Sequence, residues 1–217
     1  MSRIERRALF SVLGGALLGV TGRAAADGSR PRVVIAPLGQ VPRVEVEVVE
    51  RALRAFYDLE VTVRTPEPLP SAAYYPQRGR YRAEKLLVHL ERASEAKTFR
   101  TLGLVSVDIS TTKGKVADWG ILGLATIDGR VGVLSSFRCR RRAKGAAHVA
   151  QRLGKTAVHE LGHTLGLEHC PNFGCLMEDG KGSVLTTDHE RDLCRSCRER
   201  LSSQRLLVDP PRQPPWA

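Results

Sequence analysis

The sequence predicts one mixed α/β domain that ends in a small cysteine-bearing subdomain. Three observations carry this. Short apolar runs rich in β-branched residues alternate with helix-period segments between residues 33 and 137. A long helix pattern follows, from about Gly145 to Leu165. Beyond residue 169 the regular apolar patterns give out, and four of the five cysteines lie there. At 217 residues the chain suits a single domain, and its composition is that of a soluble globular protein with few aromatics.

In order, Val33 to Leu38 reads as a buried strand. Pro42 opens a helix to about Tyr57, with Val46, Val49, Leu53 and Phe56 at helical spacing. Leu59 to Arg64 alternates as a strand, and Thr65 to Pro76 is a proline-containing loop ending in Tyr74-Tyr75. A second helix carries Leu86, Leu87 and Leu90 on one face. Thr101 to about Ile109 is expected as a central strand, ending at Asp108. Gly120 to Ile127 reads as a further strand, closed by the Asp128-Gly129 turn, with Val131 to Phe137 as its partner.

The long helix carries His159-Glu160-Leu161-Gly162-His163-Thr164-Leu165-Gly166-Leu167-Glu168-His169. His159 and His163, four apart, share one helix face, so their imidazoles can hold one metal ion. Glu160 points roughly 100° round the helix, off the metal and near a metal-bound water. Gly166 can take the left-handed conformation that ends a helix and turns the chain aside. That turn brings His169 back as a third ligand. Three protein ligands leave a position open, the arrangement of a catalytic zinc. Met177, the one methionine besides the initiator, lies where a methionine turn would floor such a site.

Past the helix, Cys170 and Cys175 are followed by Cys194 and Cys197. A segment with so little apolar area needs a staple, and C-x4-C with C-x-x-C is close to structural-zinc spacing. Two disulfides are the competing arrangement. Thr187 with Glu190 three later reads as a capping box opening a helix that carries Cys194 and Cys197. Leu201 to Val208 is expected to dock on the core, and the tail from Asp209 to be extended or disordered. Cys139 reads as a buried inert thiol or, without a supporting motif, a latency ligand for the metal.

This pattern, the third His joined to Cys170, then C-x4-C-x-M and C-x-x-C, resembles the archaemetzincins, a family of zinc metallopeptidases. The resemblance is specific over residues 159 to 197 and looser from about residue 33. It implies a metzincin-like twisted mixed sheet with packed helices and two zinc ions per chain. His159, His163 and His169 would hold the catalytic zinc, with Glu160 as general base. Cys170, Cys175, Cys194 and Cys197 would hold the structural zinc, with Met177 as the methionine turn. It also implies an edge strand that pairs with extended peptide, for which residues 120 to 127 are the best candidate. Some metzincins add a tyrosine two residues after that methionine; Asp179 stands there.

Residues 1 to 26 read as an export signal. Arg3, Arg6 and Arg7 precede the apolar run Ala8 to Val20, too short to span a bilayer, and Ala24-Ala25-Ala26 offers a cleavage site. The Arg6-Arg7 pair resembles a twin-arginine signal, placing the protein in the periplasm or outside the cell. The organisation expected is thus signal 1–26, N-terminal subdomain with the active-site helix 27–169, C-terminal subdomain 170–208 and proline-rich tail 209–217. Removing the signal takes away four Arg and one Glu, leaving +8 of the net charge of +11. Arg138, Arg140, Arg141, Arg142 and Lys144 are expected to form a solvated basic face, since no nucleic-acid motif accompanies them. The expectation is a monomer acting on peptide or protein, with no nucleic acid and no stable membrane association after signal cleavage.

The function expected is zinc-dependent hydrolysis of peptide bonds, including aminopeptidase action. Asp108, Asp118, Glu168, Glu178 and Asp179 are candidates to hold a substrate's free amine. The alternative is a zinc-stabilised peptide-binding protein with little turnover. A zinc deaminase is excluded because the P-C-x-x-C element of its signature is missing.

Overall fold

The computed structural model describes residues 30–209 and 212–216; the expected signal at 1–26 lies outside them. The strands are β1 (Arg32–Pro37), β2 (Glu60–Val63), β3 (Tyr74–Tyr75), β4 (Arg80–Arg82), β5 (Arg100–Val105), β6 (Ile109–Lys113), β7 (Val116–Ile121), β8 (Gly123–Ala125) and β9 (Val131–Ser135). The helices are α1 (Arg43–Phe56), α2 (Ala83–Ala93), α3 (Ala146–Thr164), α4 (Thr186–His189) and α5 (Arg195–Ser202).

The main sheet runs β2-β1-β5-β9-β8. Its first four strands are parallel, and β8 joins antiparallel at the edge. Parallel strands need cover on both faces, and period-2 alternation supplies apolar residues to each. Val33, Ile35, Leu102, Leu104 and Leu134 face one core, packed by Val49 and Leu53 of α1 and Leu153 and Leu161 of α3. Ala36, Val105, Val131 and Val133 face the other, packed by Leu86 and Leu90 of α2. A three-layered mixed α/β fold results, as the sequence predicts. A second, smaller sheet, β3-β4-β6-β7, carries two short strands that the sequence does not mark: β3 lies in the expected loop, and β4 just ahead of the second helix.

Two expected strands are each split. Thr101 to Ile109 breaks between Val105 and Ile109, and β6 leaves for the second sheet. Asp108 at the break takes Nε and Nη2 of the buried Arg138 at 2.6 and 3.0 Å and Arg80 at 2.7 Å. Gly120 to Ile127 divides into β7 and β8, which belong to different sheets. An apolar run gives no sign of which sheet each half will pair with.

The basic face is corrected in part. Arg138 is buried against Asp108, and Arg140 pairs with the buried Glu45, while Arg141, Arg142 and Lys144 are exposed. The C-terminal helix also differs from expectation. α4 is a single turn with no side-chain cap, and Thr187 Oγ1 donates to the Val184 carbonyl instead. α5 begins only at Arg195, with Cys194 at its N-cap position. Leu201 and Leu206 dock on the core as expected. The tail does more than extend into solvent: Trp216 stacks on Phe56 with ring centroids 5.3 Å apart and donates Nε1–H to the Arg191 carbonyl. One core runs across the 169/170 boundary, holding Leu176, Met177, Leu193 and Leu201 with the sheet and α3.

Arg152 on α3 clamps the segment after residue 180 to that core. It is 1% exposed, gives Nε and Nη2 to Asp188 at 2.7 and 2.8 Å, and gives Nη1 to the carbonyls of Cys139 and Arg141. Arg152→Ala strands those carbonyls and Asp188. It is expected to cost about 3 kcal/mol, the low end for breaking a buried pair, because Asp188 keeps solvent contact. Denaturant unfolding of the zinc-loaded protein measures this, and a change below half that value contradicts the clamp.

Candidate active site

The motif histidines converge as the spacing predicts. His159 and His163 lie on one face of α3. The helix then ends in a Schellman turn: Leu167 N–H donates to the Gly162 carbonyl, and Gly166 N–H to that of His163. Gly166 stands at φ 89°, a conformation glycine adopts without steric cost. The chain swings aside there, and His169 returns to the other two. Ligand atoms of the three imidazoles all lie within 4.8 Å of one another.

Backbone acceptors fix the tautomers. His159 Nδ1 donates to the Leu176 carbonyl and His163 Nδ1 to that of Leu167, each at 2.7 Å. A carbonyl only accepts, so each Nδ1 carries the proton and each Nε2 keeps a free lone pair. The two Nε2 atoms are 3.0 Å apart, near the separation of about 3.3 Å for two nitrogens about 2.0 Å from one zinc. Burial, with His163 adding, pushes His159 down to about 3, and burial lowers His163 too. Both are neutral at physiological pH, as metal ligands must be. Beneath them, the fully buried Met177 puts its sulfur 2.7 Å from where a side chain at Gly162 would begin. Position 162, just before the second helical ligand, therefore has little room for a side chain.

Glu160 is 5% exposed, and its Oε2 has no partner among the described residues. Burial pushes its carboxyl up to about 8. It faces a cleft of about 320 Å³ shared with the three histidines and with Gly123, Leu124 and Ala125 of β8. A Cβ on Gly123 would sit 2.3 Å from Glu160 Oε1. The glycine on the edge strand is the space the carboxylate occupies.

The four later cysteines also converge, unbridged, with all four sulfurs within 4.8 Å of one another. Cys170 Sγ and Cys194 Sγ are 3.6 Å apart, and Cys175 Sγ and Cys197 Sγ 3.8 Å. Four sulfurs at about 2.3 Å round one zinc would be about 3.8 Å apart, so the set fits a metal ion. Burial raises the Cys194 thiol, but hydrogen bonds from Ser196, Asn172 and its neighbours outweigh this and bring it down to about 5. The cluster is tied to the histidine centre: Cys170 follows His169, and its N–H donates to the Met177 carbonyl at 2.7 Å. Cys175→Ser is expected to halve the zinc content of a doubly loaded protein and to loosen residues 170–208. Metal analysis with hydrogen exchange reads both, and unchanged content contradicts the four-sulfur site.

Of the five candidate amine anchors, Asp108 and Asp118 are spent on Arg80, Arg138 and Arg78. Glu168 is exposed and outside the cleft. Glu178 and Asp179 do line it. Glu178 Oε2 accepts from Gly174 N–H and from His189, and Asp179 Oδ1 from Lys181 N–H. Two cleft residues escape sequence reasoning. Gly123 carries no pattern that marks it, and Glu190, read as half of a capping box, points elsewhere and lines the cleft. Cys139 lies in the core and not on the cleft, its thiol pushed up to about 12 by burial, as an inert thiol should be.

Three converging imidazoles beside a buried carboxyl, under an open sheet edge, place the chain among the zinc metallopeptidases, hydrolases that act on peptides. The family follows from comparison: the model of Peptidase family M54 matches residues 39–203, and the chain belongs to that family. The archaemetzincin of Halobacterium salinarum is 34% identical over 174 residues, covering 77% of this chain and 97% of its own. That of Natronomonas pharaonis is 31% identical over 176 residues, covering 78% and 98%. The crystal structure of the Methanopyrus kandleri archaemetzincin superposes with a TM-score of 0.69 at 31% identity, covering 83% of this chain and 98% of its own.

Proposed function

We propose that peptide hydrolysis takes place in this cleft, with Glu160 as general base and His159, His163 and His169 holding the catalytic zinc. The observation that carries the reading is the placement of Glu160, with its buried and unpartnered Oε2, beside three converging histidines, of which His159 and His163 keep their Nε2 lone pairs free. Zinc, when bound, supplies the Lewis acid that acidifies water and polarises the scissile carbonyl. Glu160 takes the proton of the attacking water and hands it to the leaving amine. A proton affinity raised toward working pH suits a group that must do both. Extended peptide lies along β8, whose outer edge has no strand partner among the described residues and whose residues line the cleft.

A second zinc on Cys170, Cys175, Cys194 and Cys197 fits this reading better than two disulfides, given the sulfur separations. It holds residues 170–208 against the centre, with Met177 as the floor. The working unit in this reading is a monomer. Export rests on residues 1 to 26 alone; export that survives Arg6→Lys with Arg7→Lys would sink the twin-arginine reading.

The open edge of β8 favours cleavage of internal bonds, and the acidic lining from Glu178 and Asp179 favours removal of amino-terminal residues. Mass spectrometry of matched peptides with free or acetylated amino termini separates them. Loss of residues only from free termini means aminopeptidase action, and internal cuts in both sets mean endopeptidase action. If the zinc-loaded protein cuts neither set, the peptide-binding alternative takes its place.

A further inference from the structure

The cleft holds one acidic group that the mechanism leaves unused. Glu190, just past α4, lines the same cavity as His159, Glu160 and His163, yet is only 3% exposed. Its carboxylate has neither hydrogen bond nor ion pair with any described residue. Lys155 on α3 is the cation that acts on it, but that ammonium turns to the Thr187 carbonyl at 2.7 Å. In the cleft wall, the hydroxyls of Thr156 and Thr187 are committed to the carbonyls of Arg152 and Val184. The cleft's lysines, Lys113 and Lys181, occupy exposed positions.

With no protein donor, the carboxylate is left to the little solvent the cleft admits, a costly setting for a charge. Burial pushes Glu190 up to about 8, with Lys155 opposing and Glu178 and Asp188 adding. Such a group persists where a ligand supplies what the protein does not. Thr156, one turn before His159 on α3, places this wall next to the metal ligands.

We propose that Glu190 sets substrate specificity: a cationic nitrogen of the peptide, close to the scissile bond, seats against its carboxylate. This rests on the reading of the cleft as a peptidase site. The nitrogen belongs either to a Lys or Arg side chain flanking the cut or to the free α-amine, which share the same chemistry. It completes a charge-assisted bond inside the protein, worth roughly ten- to a hundredfold in kcat/KM over an uncharged isostere.

The test uses zinc-loaded protein and peptides carrying Lys, norleucine or Glu at each position flanking the cut, every peptide made with free and acetylated termini. Wild type is expected to prefer Lys to norleucine by roughly tenfold or more, with Glu poorest, and Glu190→Gln to bring the ratio near unity. If the gain follows the free terminus and Glu190→Gln removes it, the α-amine is the cation and the assignment stands. Indifference of wild type to both charges overturns it, as does a preference that survives Glu190→Gln. Should Glu190→Gln not fold, the wild-type ratios alone decide. Should wild type cut nothing, the peptidase mechanism fails, and calorimetric binding of the same peptides to wild type decides the inference. Tighter binding of the cationic peptides supports it, and equal affinities overturn it.

Discussion

Glu160→Gln is expected to lower peptide hydrolysis by roughly 10²- to 10⁴-fold, the usual contribution of a positioned general base, while zinc content is unchanged. The two readouts separate because Glu160 is not among the three imidazoles whose ligand atoms converge. Gln keeps the volume and the two terminal heavy atoms but cannot take a proton. The carboxylate it replaces has a buried Oε2 without a partner, so no protein donor loses an acceptor there. Loss of activity together with loss of zinc would mean that the variant disturbed the metal, and full activity would remove Glu160 from the chemistry.

Gly123→Ala is expected to cost roughly 10²-fold in kcat/KM with metal and fold intact, the penalty of displacing a catalytic group by about 1 Å. The added methyl would lie 2.3 Å from Glu160 Oε1. Neither backbone is free to yield. Gly123 is paired with Leu134 across the β8–β9 ladder, and Glu160 sits on a helix packed in the main core. The carboxylate side chain must therefore move. Kinetics with matched zinc analysis tests this, and near-wild-type kcat/KM would show that the carboxylate tolerates the shift.

The metal centre was legible in the sequence because its geometry is local. His159 and His163 are fixed by helix pitch, and Gly166 sets the turn that returns His169. The convergence of Cys170 and Cys175 with Cys194 and Cys197 spans a longer stretch, and paired spacings sufficed to group them. What escaped is non-local. β7 and β8 are adjacent in sequence, but their partners lie in different sheets. The role of Gly123 exists only because β8 passes over α3. Arg138 and Arg140 read as surface cations in sequence, yet each meets a carboxylate 30 or more residues away, as does Arg152. Glu190 was misread because Thr187, three before it, satisfies a local rule that the tertiary structure overrides.

The most direct test of zinc-dependent hydrolysis at the histidine centre is peptide cleavage followed by mass spectrometry through a cycle of chelation and zinc return. Cleavage should cease when a chelator removes zinc from His159, His163 and His169, and should return as zinc is restored to that site. Cleavage at an undiminished rate by protein shown to be metal-free would contradict it.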